Sequence, residues 1–241
     1  MKQRLDQRLA LLGLVASRSQ AESYIRLGQV TVNEKVITKA GTLVSEDDAV
    51  AVTAAEQYVS RAALKLASVS QLLKISFNNT TVLDVGSSTG GFTQYALKQG
   101  ARKVIAVEVG TDQLHPLLRA DPRIELHEKT DIRDFRTDER IDVVVADVSF
   151  ISLREILPSV ARLVTPNTQI AVMVKPQFEA IVSSVKHKGV IKNDKMRREI
   201  LKDFEVWAAQ QFIIIDKADS QVSGAKGNLE RFYLLKLITK R

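Results

Sequence analysis

The chain contains no cysteine. That absence excludes disulfide bonds, cysteine-ligated zinc or iron–sulfur sites, and any mechanism that uses a cysteine nucleophile. Long apolar runs are also missing, since no window approaches the roughly 18 apolar residues of a membrane span. The start, Met1-Lys2-Gln3-Arg4, does not resemble a secretory signal. We therefore expect a cytoplasmic protein with no membrane partner.

The composition is that of a globular protein with a basic surplus. Of the 241 residues, 45% are hydrophobic and 26% are charged, so disorder is not the expectation. The 35 Lys and Arg residues exceed the 28 Asp and Glu residues by seven. A basic protein favours a polyanionic partner, although this surplus alone is a weak signal. The length fits one large domain and one small one.

The first part of the chain has the pattern of a small helix–helix–hairpin module. Leucines at positions 5, 9 and 12 recur at helical spacing, and Gly13 can end that helix. Ser19 is the expected cap of a second helix that ends at Gly28. The alternating run 29–33 predicts a strand, Asn33-Glu34 predicts a turn, and apolar residues at 43–44 and 50–52 predict further strands.

This module resembles the S4 RNA-binding domain, and the resemblance is carried by Arg4–Asp6, Ser17–Ala21 and Ile25–Asn33. Arg18 and Arg26 lie on one face of the second predicted helix, from which they can contact phosphates of folded RNA. The alternative is a small core with solvent-exposed arginines. The RNA contacts expected from the resemblance are Arg4, Arg18, Gln20, Arg26 and Lys35. We assign residues 1–53 to this domain, 54–60 to a linker and 61–241 to a second domain.

The second domain shows the pattern of a doubly wound α/β fold. An apolar run, 81–85, ends in the glycine-rich turn 86–91, and a predicted helix follows from Phe92 to Gln99. A second run, 104–107, ends in the acid Glu108. The nucleotide-binding half of such a fold has this order: a strand, a glycine-rich turn, a helix, a second strand and an acidic residue. Further predicted strands are 124–126, 142–146, 169–174, 212–215 and 232–236, with helices near 153–163 and 194–210.

The glycine-rich turn fits either NAD or S-adenosylmethionine (SAM). Its spacing, Gly86-x-Ser88-x-Gly90-Gly91, departs from the Gly-x-Gly-x-x-Gly pattern of dinucleotide sites. The acid Asp84 precedes the turn, where a carboxylate attracts a cationic ligand and disfavours a pyrophosphate. SAM is the favoured ligand, NAD is the alternative, and a turn without a ligand stays open.

Two charged residues directly follow apolar strands. Asp147 ends the run 143–146, and Lys175 ends the run 171–174. Because strand ends of an open α/β sheet face the ligand crevice, both are candidates for the chemistry. Lys65 and Glu230 read as surface residues from spacing alone.

Five longer stretches, in this order, resemble the TlyA family, also called haemolysin A: 58–66, 83–93, 146–153, 174–179 and 227–230. Together with the S4-like start, the resemblance implies a ribosomal RNA 2′-O-ribose methyltransferase with an FtsJ-like catalytic domain and SAM as cofactor. The family's Lys-Asp-Lys-Glu tetrad falls on Lys65, Asp147, Lys175 and Glu230. The implied cofactor-binding residues are Asp84, Gly86, Ser88, Thr89, Gly90, Gly91, Phe92, Glu108, Asp131 and Ile132.

The sequence departs from the family pattern at three places. Ala62 and Ala63 lie where the family usually has at least one glycine, and Asp131 lies where the family often has asparagine. After Glu179, the stretch 180–185 replaces part of a Gly- and Lys-rich segment, which puts the geometry of the substrate loop in question. None of these departures falls on the tetrad.

A ribose 2′-hydroxyl is a weak acid that must lose a proton, and Lys175 is the candidate general base that removes it. A lysine acts as a base only when neutral, a form that a nearby Lys65 and burial favour and that Asp147 and Glu230 oppose. The turn 147–150 lacks the prolines typical of amino-group methyltransferases, and the histidines show no ligand spacing, so we expect no metal. The alternatives are an inactive RNA-binding factor of the ribosome and a membrane-active haemolysin.

Overall fold

The computed structural model describes residues 2–15, 17–54, 58–180, 189–191, 193–224 and 227–239. The described residues of the N-terminal part form two short helices and five short strands. They are β1 (Gln3–Arg4), α1 (Leu5–Leu11), α2 (Arg18–Arg26), β2 (Val30–Val32), β3 (Lys35–Val36), β4 (Leu43–Val44) and β5 (Val50–Val52). Strand β1 pairs with β4, and a three-stranded sheet has the order β3-β2-β5.

Local sequence signals explain these elements, with one correction. The cap of α2 is Ser17, whose side chain accepts a hydrogen bond from the backbone N–H of Gln20, and the helix begins at Arg18. The prediction of Ser19 as the cap was therefore wrong: Ser19 lies within the helix, and Ser17 has the extended backbone that a cap requires. The predicted turn at Asn33-Glu34 is confirmed, since both residues have positive φ, as a type I′ hairpin turn requires.

The C-terminal part alternates strands and helices. Its elements are α3 (Arg61–Ser70), β6 (Thr81–Val85), α4 (Gly91–Lys98), β7 (Lys103–Val107), α5 (Pro116–Arg119), β8 (Ile124–His127), β9 (Val143–Ala146), α6 (Leu153–Val160), β10 (Gln169–Val174), α7 (Pro176–Glu179), α8 (Asp194–Ala208), β11 (Phe212–Asp219) and β12 (Arg231–Leu237). Their order follows the predicted sequence of strands and helices, and the α/β fold class is confirmed.

Over the residues that the structure describes, the central sheet has seven strands in the order β11-β12-β10-β9-β6-β7-β8. Strands β6 to β10 are parallel, and β12 is antiparallel to both of its neighbours. The chain runs outward from β6 to β8 and then returns to β9 on the other side of β6. The switch point of this doubly wound sheet therefore lies between β6 and β9, and ligands bind at the carboxyl ends of the strands there.

Two apolar layers cover the sheet. On one face, side chains from β6, β9 and β10 pack against α6 and α8 around Leu157 and Phe204. On the other face, α3 and α4 pack through Leu66, Phe92 and Ala96. Strands covered on both faces read as continuous apolar runs, which is why 81–85 and 143–146 could be recognised from the sequence.

The two parts of the chain share a packed junction. Leu64 of α3 and Val222 are buried in the same cluster as the N-terminal residues Leu9 and Tyr24. The side-chain amide of Gln20 donates a hydrogen bond of 2.5 Å to the carbonyl oxygen of Tyr58. The assigned linker 54–60 falls partly on residues 55–57, which lie outside the described residues. Within the part of the chain that the structure describes, no helix is long and apolar enough to cross a bilayer.

Candidate active site

Two cavities meet at the switch point of the sheet. The larger, of about 560 Å³, lies against the ends of β6, β7 and β9, and the smaller, of about 230 Å³, lies between the glycine-rich turn and α3. Gly86, Ser88 and Asp147 line both. Other predicted cofactor residues divide between them: Glu108, Asp131 and Ile132 line the larger cavity, and Thr89, Gly91 and Phe92 line the smaller.

Two positions of the glycine-rich turn have a backbone conformation and surroundings that do not accommodate a side chain. Gly86 follows Val85, which pairs with Ala146, so Gly86 lies beside Asp147. Its φ is +79°, and a Cβ there would lie 3.0 Å from the carbonyl oxygen of Asp147. Gly90 has a φ of +90°, and its Cβ would collide with Leu114 and Leu118. Glycine therefore permits both the left-handed backbone and the close approach of neighbouring segments.

Glu108 joins the turn to the end of β7. One carboxylate oxygen accepts a hydrogen bond of 2.9 Å from the backbone N–H of Ser88, and the other accepts one of 2.8 Å from the N–H of Gly110. Each carboxylate oxygen has a further lone pair. The side chain is therefore held rigidly at the cavity with acceptor capacity left for a ligand that carries two hydroxyl groups.

Asp131 is held by its neighbour Arg133. The guanidinium contacts both carboxylate oxygens, with the shortest bond at 2.6 Å, and the backbone N–H of Arg133 donates a further bond. These hydrogen bonds lower the pKa of Asp131 below its ordinary value, despite partial burial. Asp131 is therefore an anion at the rim of the cavity, and the adjacent Ile132 is buried in its apolar wall.

Asp84 lies beneath the turn and lines neither of these cavities. It is fully buried, and its Oδ2 accepts a hydrogen bond of 2.6 Å from the hydroxyl of Thr93 on α4. Burial raises the pKa of Asp84 to about 7, although the Thr93 hydroxyl opposes the shift. In this structure Asp84 is tied to the first turn of α4.

Asp147 and Lys175 form an ion pair at neighbouring strand ends. Ala146 and Val172 are paired in the parallel register of β9 and β10, so the residues that follow each strand lie close together. The Nζ of Lys175 lies 2.5 Å from Oδ1 of Asp147, and both side chains are largely buried. Strand β10 ends at Val174, directly before Lys175, and Pro176 then begins α7.

Lys65 and Glu230 form a second ion pair across the same crevice. The Nζ of Lys65 on α3 lies 2.5 Å from Oε2 of Glu230, which precedes β12, and both side chains are nearly inaccessible. Val174 pairs with Arg231 in the antiparallel register of β10 and β12, so Glu230 lies across from Lys175. The four predicted residues thus form two ion pairs, and Asp147 and Lys65 both line the smaller cavity.

Some described residues at this site were not identified from the sequence, among them Ser149, Phe150 and Glu179. The hydroxyl of Ser149 accepts a hydrogen bond of 2.7 Å from Nζ of Lys175. Phe150 has a φ of +66°, is 87% exposed and packs against Phe178. The carboxylate of Glu179 is buried against the start of α6. Their position within two motifs of the family resemblance was the available signal. Of the departing stretch 180–185, residues 181–185 lie outside the described residues.

The residues predicted to bind RNA have different environments. Arg4 and Arg18 both bind the fully buried carboxylate of Asp6, at 2.9 Å and 2.7 Å. Burial raises the pKa of Asp6, but the hydrogen bonds and charges of the two arginines outweigh it and the net pKa is lowered. Gln20 is buried at the junction, whereas Arg26 and Lys35 are exposed.

The histidines have local partners. His115 caps α5 by accepting a hydrogen bond from the N–H of Leu117, and His127 pairs with Glu125 at 2.6 Å. His187 lies outside the described residues. Among the residues that the structure describes, no group of three or more acidic or histidine side chains could hold a metal ion.

Comparisons with known proteins agree with this architecture. Residues 58–237 match the FtsJ-like methyltransferase family, and residues 3–50 match the S4 domain. The 16S/23S rRNA (cytidine-2′-O)-methyltransferase TlyA of Mycobacterium tuberculosis is 35% identical over 244 residues, which cover 99% of this chain and 91% of that protein. Hemolysin A of Brachyspira hyodysenteriae is 37% identical over 232 residues, which cover 94% of this chain and 97% of that protein.

A solved structure resembles this one over nearly the whole chain. A Streptococcus thermophilus protein that carries the name hemolysin superposes with a TM-score of 0.73 at 31% identity, covering 99% of this chain and 90% of that chain. The match of the FtsJ-like family covers most of the sequence, and the relatives align over nearly their whole length. This chain therefore belongs to the TlyA, or haemolysin A, family, in which an S4 domain precedes an FtsJ-like methyltransferase domain.

Proposed function

We propose that this protein transfers the methyl group of SAM to a ribose 2′-hydroxyl of ribosomal RNA in the cytoplasm. The observation that carries the proposal is the pair of buried contacts Lys175–Asp147 and Lys65–Glu230 beside the glycine-rich turn. Two lysines and two carboxylates suit the removal of a proton from a weakly acidic hydroxyl. The names of the Mycobacterium tuberculosis and Campylobacter jejuni relatives, both rRNA (cytidine-2′-O)-methyltransferases, support the same substrate.

The residues of the two cavities fit SAM. In the larger cavity, Glu108 would accept both ribose hydroxyls, and Asp131 with the apolar Ile132 would hold the adenine. In the smaller cavity, the cations Arg61 and Lys65 suit a carboxylate. The hydroxyl oxygen of Ser87, which also lines the smaller cavity, is buried and has no hydrogen-bond partner among the residues that the structure describes, so a polar ligand could supply one. Residues 86–92 would then cradle the cofactor with their backbone, with Asp84 supporting this turn through Thr93.

The mechanism assigns one task to each member of the tetrad. Bound SAM supplies a methyl group that its sulfonium already activates, so the protein's main tasks are alignment and deprotonation. Lys175 takes the proton of the 2′-hydroxyl, and Asp147 holds the Nζ of that lysine in place. Lys65 provides a second positive charge at the crevice, and Glu230 orients Lys65.

The N-terminal domain, which we assign to residues 1–53, binds the RNA. Its exposed basic side chains, among them Arg26 and Lys35, contact phosphates and position the substrate rather than read its sequence. Arg4 and Arg18 are partly exposed, and Asp6 fixes their guanidinium groups. Gln20 contributes indirectly, by its hydrogen bond to Tyr58 at the junction of the two parts of the chain.

The test compares Lys175→Ala with Lys202→Ala, which changes an exposed lysine on α8. Each purified protein is given labelled SAM and ribosomal subunits, and ribose methylation is mapped by mass spectrometry. We expect Lys175→Ala to bind SAM normally and to lose methyl transfer by about 100-fold or more, the usual contribution of a general base. Lys202→Ala should match the wild type.

Two results would contradict the proposal. Tight RNA binding without transfer by the wild type would indicate an inactive ribosome-associated factor, and lysis of vesicles by the wild type would indicate a haemolysin. Normal transfer by Lys175→Ala would refute the role of that lysine. Mass mapping of rRNA from cells with and without the gene would then identify the target nucleotide.

A further inference from the structure

We propose that Ser149 is a positioning residue that aims the reactive nitrogen of Lys175 at the acceptor hydroxyl, an inference that rests on the function proposed above. Ser149 lies two residues after Asp147 in the loop between β9 and α6. Its hydroxyl oxygen is 2.7 Å from Nζ of Lys175, and the residue lines the larger cavity. Ser149 therefore connects the lysine to the wall of that cavity.

The amine of Lys175 needs two partners to have a defined orientation. A neutral amine has two N–H bonds and one lone pair at tetrahedral positions around the nitrogen. The Nζ of Lys175 lies close to Asp147 and donates a hydrogen bond to Ser149, and because a hydrogen bond is directional, this bond fixes the rotation of the amine. With one N–H aimed at Ser149 and the other turned to Asp147, the lone pair takes the third position, from which it can accept the proton.

The loop that carries Ser149 is fixed at both ends. At its start, the backbone N–H of Asp147 donates a hydrogen bond of 3.1 Å to the carbonyl oxygen of Val85. At its end, Ser152 donates a hydrogen bond of 2.6 Å to the buried carboxylate of Glu179. Between them, Phe150 turns the chain with a φ of +66°. Ser149 is exposed, yet its position is set by a loop with little freedom.

The experiment uses the full chain with Ser149→Ala, Ser149→Thr and the control Ser76→Ala, which removes the hydroxyl of another exposed serine. Thermal melting and SAM affinity check the fold and the cofactor site. Steady-state methyl transfer to ribosomal subunits then separates kcat from KM for the RNA. We expect Ser149→Ala to lower kcat about tenfold or more, with KM and SAM affinity within twofold of the wild type.

Ser149→Thr retains the hydroxyl at the same position and should restore most of kcat, which a purely structural role of the loop would not predict. Ser76→Ala should behave as the wild type. A kcat of Ser149→Ala within twofold of the wild type, or a failure of threonine to restore it, would overturn the inference while leaving the proposed function in place. If the wild type itself methylates no ribose, the proposed function fails and the role of Ser149 falls with it.

Discussion

The buried carboxylate of Glu179 accepts a hydrogen bond of 2.6 Å from the hydroxyl group of Ser152. The same carboxylate accepts a bond of 2.8 Å from the backbone N–H of Leu153, the first residue of α6. Glu179 ends α7, which directly follows Lys175, and Ser152 ends the loop that begins at Asp147. One side chain thus connects the two loops that carry the central ion pair.

We expect Glu179→Ala to destabilise the protein and to impair methyl transfer. The change removes an acceptor from the start of a helix and leaves buried donors without a partner, which costs about 2–4 kcal/mol of unfolding free energy. Urea denaturation measures the loss, and kcat should fall because the two loops are no longer connected. Glu199→Ala, on the exposed face of α8, is the control. An unfolding free energy equal to that of the wild type would refute this role of Glu179.

Because Asp84 is buried, we predict that the free energy of unfolding falls as the pH rises. Burial raises the pKa of this carboxyl to about 7 in the folded protein, against 3.8 for an unperturbed aspartate. Between these values the unfolded chain releases a proton that the folded chain retains. The free energy of unfolding therefore decreases by up to about 1.4 kcal/mol per pH unit in this window, and then levels off.

Asp84→Asn should remove this part of the pH dependence, because an amide does not titrate in this range. The unfolding free energy of the variant relative to the wild type should increase from pH 5 to pH 7 and stay constant above that. Urea denaturation of both proteins at several pH values measures this difference. A difference that does not change with pH would show that Asp84 is ionised in the fold throughout.

We predict that substitution of Glu108 lowers the affinity for SAM. Hydrogen bonds to a charged group contribute about 1.5–3 kcal/mol each, so Glu108→Gln should weaken SAM binding by about 10- to 100-fold in calorimetry. The same substitution also disturbs the contacts with Ser88 and Gly110, so affinity alone does not identify the cause.

A comparison of ligands separates the two effects of this substitution. S-adenosylhomocysteine and its 2′-deoxyribose analogue should differ in affinity for the wild type and differ much less for Glu108→Gln. The control Glu199→Gln should preserve the difference. If Glu108→Gln discriminates the two ligands as well as the wild type does, the carboxylate acts only through the glycine-rich turn.

The sequence predicted the sheet and part of the site because those signals are local. Apolar runs marked the strands, and the charges of Asp147 and Lys175 were visible because each directly follows such a run. Lys65 and Glu230 are 165 positions apart and meet only in the fold, so spacing could not pair them, and only the family resemblance brought them together. Gln20 shows that burial of a polar residue is also hard to predict from the sequence. It lies on a helix predicted to bind RNA, yet its side chain is buried against Tyr58.

The two arginines of α2 should respond differently to substitution, although they share a face of one helix. Arg26 is exposed, so Arg26→Ala should weaken RNA binding, reduce the slope of log affinity against log salt by about one, and leave stability unchanged. Arg18 binds the buried Asp6, and Arg18→Ala leaves that carboxylate with Arg4 alone. We expect Arg18→Ala to lower the unfolding free energy by about 1–3 kcal/mol in addition to its effect on RNA. Salt-dependent binding and urea denaturation of both variants measure the contrast, and equal stability of the two would mean that the Arg18–Asp6 contact contributes nothing to the fold.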